Sequence, residues 1–127
     1  MSETVRSYMD LKVYHIAIDL SAIIYRMTQN MPIEEKFSLR DQMRRAVVSI
    51  SSNIAEGNCR GSTKEYIRFL YFAKGSNAEV HTQLLIGQAI GYFDPKQTEY
   101  AVNMCVSIGK MLSSLIAVLK EKDTREN

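Results

Sequence analysis

Between Leu39 and Leu70 the chain carries two long helical patterns, separated by one sharp interruption at Gly57-Asn-Cys-Arg-Gly-Ser62. Comparable punctuation recurs at Met31-Pro32 and from Gly91 to Pro95. Six glycines and two prolines in 127 residues are too few for an all-β chain, which needs a turn every 10 residues or so. The fold class is therefore all-α. A chain of this length, 46% apolar and 24% charged, suits one globular domain whose core removes roughly two-thirds of the unfolded surface from water. No internal repeat or linker divides residues 1–127.

The punctuation predicts four helices, over about 10–30, 38–57, 62–91 and 95–120. The first stops at Met31-Pro32, because a residue before proline avoids the helical region. Its polar residues Lys12, His15, Asp19 and Arg26 fall on one narrow line, and nearly everything else is apolar. The second is predicted to start with Ser38 as its cap and Asp41 favoured by the helix dipole. Leu39, Met43, Ala46, Val47, Ile50 and Ile54 form its core stripe, with Val48 and Ala55 on the opposite side. Asn53 and Glu56 read as a structural polar network at the helix end.

Ser62-Thr-Lys-Glu65 is a capping box opening a third helix of about 28 residues, roughly 40 Å long at about 1.5 Å per residue. Tyr66, Phe69, Leu70, Phe72 and Ala73 are expected in the core, and Gly75, Ser76 and Ala78 leave room for another helix to approach. Asp94-Pro95 opens the fourth, aspartate as cap and proline at the first position. Ala101, Met104, Ile108, Met111, Leu115 and Val118 form its predicted seam. The charged residues after Leu119 are expected to fray as a flexible tail. Met27, Met43, Met104 and Met111 read as core filling.

Short connections favour an up-down-up-down antiparallel four-helix bundle. The excess apolar surface of the first two helices predicts self-association into a cyclic homo-oligomer.

Few chemistries suit these residues. The first residues lack an apolar run, and no segment approaches the roughly 18 apolar residues of a membrane span, so a cytoplasmic protein with no membrane role is expected. Cys59 and Cys105 have no metal-ligand spacing and read as reduced thiols. Neither His15 nor His81 follows a glutamate at the spacing of a di-iron bundle, and both read as partly exposed helix residues. No nucleophile elbow or phosphate-binding loop is present. The expectation is a non-enzyme without metal or cofactor.

Charge supplies the positive lead. From Lys36 to Lys74 there are eight Lys/Arg against three acids, a balance of +5 in a chain whose net charge is +2. Lys36, Arg40, Arg44, Arg60, Lys64, Arg68 and Lys74 are the candidate nucleic-acid contacts, neutralising phosphates without sequence readout. The alternative is a homo-oligomeric protein-interaction scaffold, its charges forming a solvated face or ion pairs such as Asp41 with Arg45.

Several segments together resemble a known family. They are Asp10-Leu-Lys-Val-Tyr14, Ile24-Tyr25, Phe37-Ser-Leu39, Gln42-Met-Arg-Arg-Ala46, Ser49-Ile50, Asn53-Ile-Ala-Glu-Gly57, Phe69-Leu70, Ala73-Lys-Gly-Ser76 and Glu79. Over about residues 9 to 93 the chain resembles the bacterial four-helix bundle proteins encoded in intervening sequences of 23S ribosomal RNA genes. That family is similar to the accessory variability determinant proteins of diversity-generating retroelements, homopentameric barrels with a basic surface used for nucleic acid. The resemblance implies a bundle, a homopentamer as the preferred assembly, and contact with RNA or DNA. Tyr14 stands where the family commonly has tryptophan.

Overall fold

The computed structural model describes residues 7–35 and 38–126. After a 3-10 turn at Tyr8–Asp10 come four helices: α1 Lys12–Met27, α2 Leu39–Asn58, α3 Thr63–Ile90 and α4 Pro95–Glu126. Each helix packs on its two neighbours in a closed square, α1 on α2 and α4, α3 on α2 and α4. The register of the contacts makes every neighbouring pair antiparallel. Ser21 bonds Val47 while Thr28 meets Arg44; Gly57 lies on Phe69 while Ser49 meets Ser76; Asn77 bonds Cys105 while Tyr71 meets Lys120. The expected all-α, up-down-up-down four-helix bundle is the observed fold.

The core consists mostly of aliphatic residues drawn from all four helices, with Leu20, Ile24, Met43, Ile50, Ile54, Leu70, Leu84, Ile108 and Leu112 fully enclosed. Met27, Met104 and Met111 pack at its margin. The polar line of α1 stays in water as expected, and the α2 stripe faces inward.

Several boundaries differ from the sequence-based expectation, each for a physical reason. Helix α1 ends at Met27 rather than near residue 30, because the Thr28 hydroxyl donates to the Ile24 carbonyl at 2.7 Å and Arg44 donates to the Tyr25 carbonyl at 3.2 Å. Ser38 makes no side-chain cap at α2; Glu35 Oε1 accepts from the Leu39 N–H instead, at 3.3 Å. The Ser62 half of the capping box forms, its hydroxyl accepting from Glu65 N–H at 3.0 Å, while the Glu65 carboxylate pairs with Arg68. Asp94 caps α4 as expected, accepting from the N–H groups of Lys96 and Gln97.

Helix α4 does not fray after Leu119. It continues to Glu126, supported by the Glu121–Arg125 pair at 3.1 Å, the Lys120–Tyr71 hydrogen bond at 2.7 Å, and Thr63 donating to Glu126 at 3.2 Å. Its buried stripe is Thr98, Ala101, Cys105, Ile108, Leu112, Ile116 and Leu119, one position round from the predicted seam, so Val118 is 62% exposed. Contrary to expectation, this helix also contains an 18-residue window of mean hydropathy 1.7, long and apolar enough by composition to cross a membrane. Lys110 and several small polar residues within it disguise the run.

Exposed apolar side chains concentrate on α3, which presents Tyr71, Phe72, Leu85, Ile86 and Ile90, rather than on α1 and α2. Of the predicted small cluster, Ser76 is buried against α2, where it bonds Ser49 at 2.8 Å, while Gly75 and Ala78 face outward. The close approaches fall at Gly57, where a Cβ would lie 2.6 Å from Phe69 Cβ, and at Gly87, which is covered by Phe93.

Candidate nucleic-acid interface

The predicted cations do not share one face. Arg40 and Arg44 lie in the first turns of α2, whereas Arg60, Lys64 and Arg68 surround the α2–α3 turn, about 20 Å away at 1.5 Å per residue. Lys74 sits one to two turns further along α3 than Arg68. Lys36 lies outside the described residues.

Arg44 belongs to the fold. Its Nε donates to Thr28 Oγ1 at 2.9 Å, its terminal nitrogen donates to the Tyr25 carbonyl, and its guanidinium stacks 4.5 Å from the Tyr25 ring centroid. A cation at a helix C-terminus satisfies carbonyls that the helix leaves unpaired and offsets the dipole. Arg40 is half-buried, and its Nε has no hydrogen-bond partner among the described residues. The expected Asp41–Arg45 ion pair is not formed among the described residues.

At the α2–α3 turn the cations are exposed, and Arg60 and Arg68 stand against aromatic rings. Arg60 pairs with Glu56 at 2.8 Å and lies 4.7 Å from the Phe69 centroid. Arg68 pairs with Glu65 at 3.3 Å and lies 5.5 Å from Phe69 and 5.1 Å from Phe72. Lys74 and Lys120 approach the Tyr71 ring at 5.9 and 5.1 Å. Lys64 is exposed in the first turn of α3. Phe72, expected in the core, is 45% exposed and Tyr71 is 44% exposed. Lys120 and Tyr71 carry no local sequence signal, because 49 residues separate them along the chain.

Beside these rings runs a polar groove between α2 and α3. One stretch, about 390 Å³, is lined by Gln42, Arg45, Ala46, Ser49, Ser76, Glu79 and Gln83. It shares Ser49, Ser76 and Glu79 with a wider stretch of about 560 Å³ that reaches Asn53, Tyr71, Phe72 and Gly75. Ser76 donates to Ser49 Oγ at 2.8 Å, and Asn53 Nδ2 donates to both the hydroxyl and the carbonyl of Ser49. Asn53 is therefore joined to serines, while Glu56 is exposed and bound to Arg60, so the two do not form one network. Gln83 is only 8% exposed, and its Oε1 has no hydrogen-bond partner among the described residues.

Among the described residues no three His, Cys, Asp or Glu side chains gather as a metal site. Cys59 is exposed; Cys105 is buried against the core, which pushes its thiol up to about 12. A thiol so disfavoured as thiolate is a poor nucleophile.

A sequence profile described as 23S rRNA-intervening sequence protein matches residues 9–114. Among solved structures, the fold is similar, at a TM-score of 0.74 and 25% identity, to a protein with unknown function from the S23 ribosomal protein family of Bacteroides thetaiotaomicron. That similarity covers 82% of this chain and 97% of the other. No curated protein matches the chain.

Proposed function

Starting from the fact that this chain belongs to the 23S rRNA-intervening sequence protein family, we propose that it is a non-enzymatic, self-associating helical bundle that holds nucleic acid by its phosphates. The contact surface on this reading is the α2–α3 turn and the first half of α3, comprising Arg60, Lys64, Arg68 and Lys74 together with Lys120 of α4. One observation carries the proposal: Arg68 stands 5.1 Å from the outward-facing ring of Phe72, and Lys74 and Lys120 stand 5.9 and 5.1 Å from that of Tyr71, with Arg60 and Lys64 exposed at the adjoining α2–α3 turn. Each phosphate contact releases condensed counterions, so affinity falls as salt rises. No base-reading motif accompanies them, and sequence preference is weak.

Self-association draws on the exposed Leu85, Ile86 and Ile90 at the other end of α3. A homopentamer is the preferred assembly, from the family resemblance. A cyclic arrangement multiplies the cationic surface and with it the salt dependence. The working compartment on this reading is the cytoplasm.

The second reading, a protein-interaction scaffold with no nucleic-acid role, draws on the ion pairs Arg60–Glu56 and Arg68–Glu65, which neutralise two of the five cations. Titrating a generic RNA and a generic DNA duplex across salt concentrations separates the two. Binding that weakens steeply with salt supports the first; no binding at about 50 mM salt, where screening is weak, supports the second.

A further inference from the structure

We propose that Tyr71, Phe72 and Gly75 form a niche on α3 that takes up an unpaired base, so that the nucleic acid preferred at this surface is single-stranded. The inference rests on the proposed nucleic-acid role and adds to it the form of the strand.

Three observations meet at the niche. Two aromatic rings, at consecutive positions of one helix, are each more than two-fifths exposed. Gly75 lies one turn beyond both, and a Cβ placed there meets nothing within 4 Å. Glycine weakens a helix interior, and here no internal packing requires it. What glycine provides is a flat gap beside the rings, and all three residues line the wider stretch of the groove. The third observation is charge: Arg68 stands at 5.1 Å from Phe72, and Lys74 and Lys120 at 5.9 and 5.1 Å from Tyr71. A base laid against the rings brings its own phosphates within reach of these cations.

In a duplex the faces of the bases are covered by their neighbours, so a ring on a protein surface can stack only on an unpaired base. Stacking on aromatic platforms tolerates sequence because every base has a π-face. Glu79, exposed at the groove edge, repels phosphates and accepts from base N–H groups. It therefore sets the polarity of the niche, with the backbone on the Arg68–Lys120 side and the base edge toward Glu79.

The experiment compares a short fluorescein-labelled single-stranded RNA with its own duplex, using the full chain and the variants Phe72→Ala, Phe72→Tyr and Gly75→Ala. The single strand should bind more tightly. Phe72→Ala should weaken it about tenfold with duplex affinity unchanged, the size expected for one stacked base, and Phe72→Tyr should retain it. Gly75→Ala should raise the Tm yet weaken the single strand, since its methyl fills the gap. Equal affinity for both forms, with Phe72→Ala silent, overturns the niche and leaves phosphate binding standing. A fall in oligomer mass on Phe72→Ala without nucleic acid also overturns it, assigning the rings to a second copy. Failure to bind either form overturns both the niche and the proposed function.

Discussion

The ring of Phe93 lies directly on the backbone of Gly87, so that a Cβ at position 87 would overlap the ring carbons Cε2 and Cδ2. Phe93 follows the left-handed Gly91, φ 97°, that turns the chain from α3 into α4, and it is 4% exposed. Gly87→Ala therefore forces the ring out of its site. We expect a loss of about 1–3 kcal/mol, the usual cost of overpacking, read by thermal or denaturant unfolding. The same substitution at Gly75, with open space around it, should stabilise by up to about 1 kcal/mol.

The Glu35 carboxylate joins two connections of the bundle, accepting from the Tyr92 hydroxyl at 2.7 Å and from the Leu39 N–H at 3.3 Å. The Tyr92 hydrogen bond first, then the Leu39 amide, hold its carboxyl below the ordinary carboxylate value of 4.5. A depressed folded-state value means that this contribution is present above the unfolded value and disappears as pH falls through the folded one. Tyr92 is raised by the same contact, so its contribution is lost as pH rises past about 10. Wild type should melt higher than Tyr92→Phe at neutral pH, and the gap should close on acidification below about 4. A gap independent of pH would show that the pair carries no charge-dependent stability.

Arg44 should behave as a structural cation. Arg44→Gln removes two charge-assisted hydrogen bonds at the end of α1 and should cost about 1–3 kcal/mol. It should leave the salt slope of nucleic-acid binding unchanged. Arg68→Gln should do the reverse, altering the slope with a stability change under about 0.5 kcal/mol. Denaturant unfolding and salt titration on both variants check the pair.

Self-association is tested by light scattering. The mass should be several times the 14.5 kDa of one chain. Ile86→Glu, on the exposed part of α3, should lower it while leaving helicity intact.

Local chemistry was legible in the sequence at three helix ends, though not at Ser38, whose capping place Glu35 takes from outside the helix. Ser62, Asp94 and Gly91 end or begin helices in the structure as their side chains and backbone freedom dictate. The phase of α4 was less so, because two adjacent stripes are both apolar and only the neighbouring helices choose between Met104-Met111-Val118 and Cys105-Leu112-Leu119. The exposure of Phe72 was hidden for a related reason. Helix α3 packs on two neighbours and is apolar beyond them, so periodicity cannot say which apolar residue is left outside. For the cations, counting charge along the chain treats Arg44 and Lys64 alike. Only the fold shows one guanidinium tied to Thr28 and Tyr25 and the other charge exposed to water at the α2–α3 turn.

The most direct test of the account replaces Arg60, Lys64, Arg68 and Lys74 together by glutamine and measures RNA binding as a function of salt. Wild type should bind, with log K falling linearly against log salt. The variant should bind more weakly, with a slope shallower by about one for each phosphate it no longer neutralises, at unchanged helicity and oligomer mass. An unchanged slope and affinity in the variant, or no binding by wild type at about 50 mM salt, would contradict the assignment of this surface to nucleic acid.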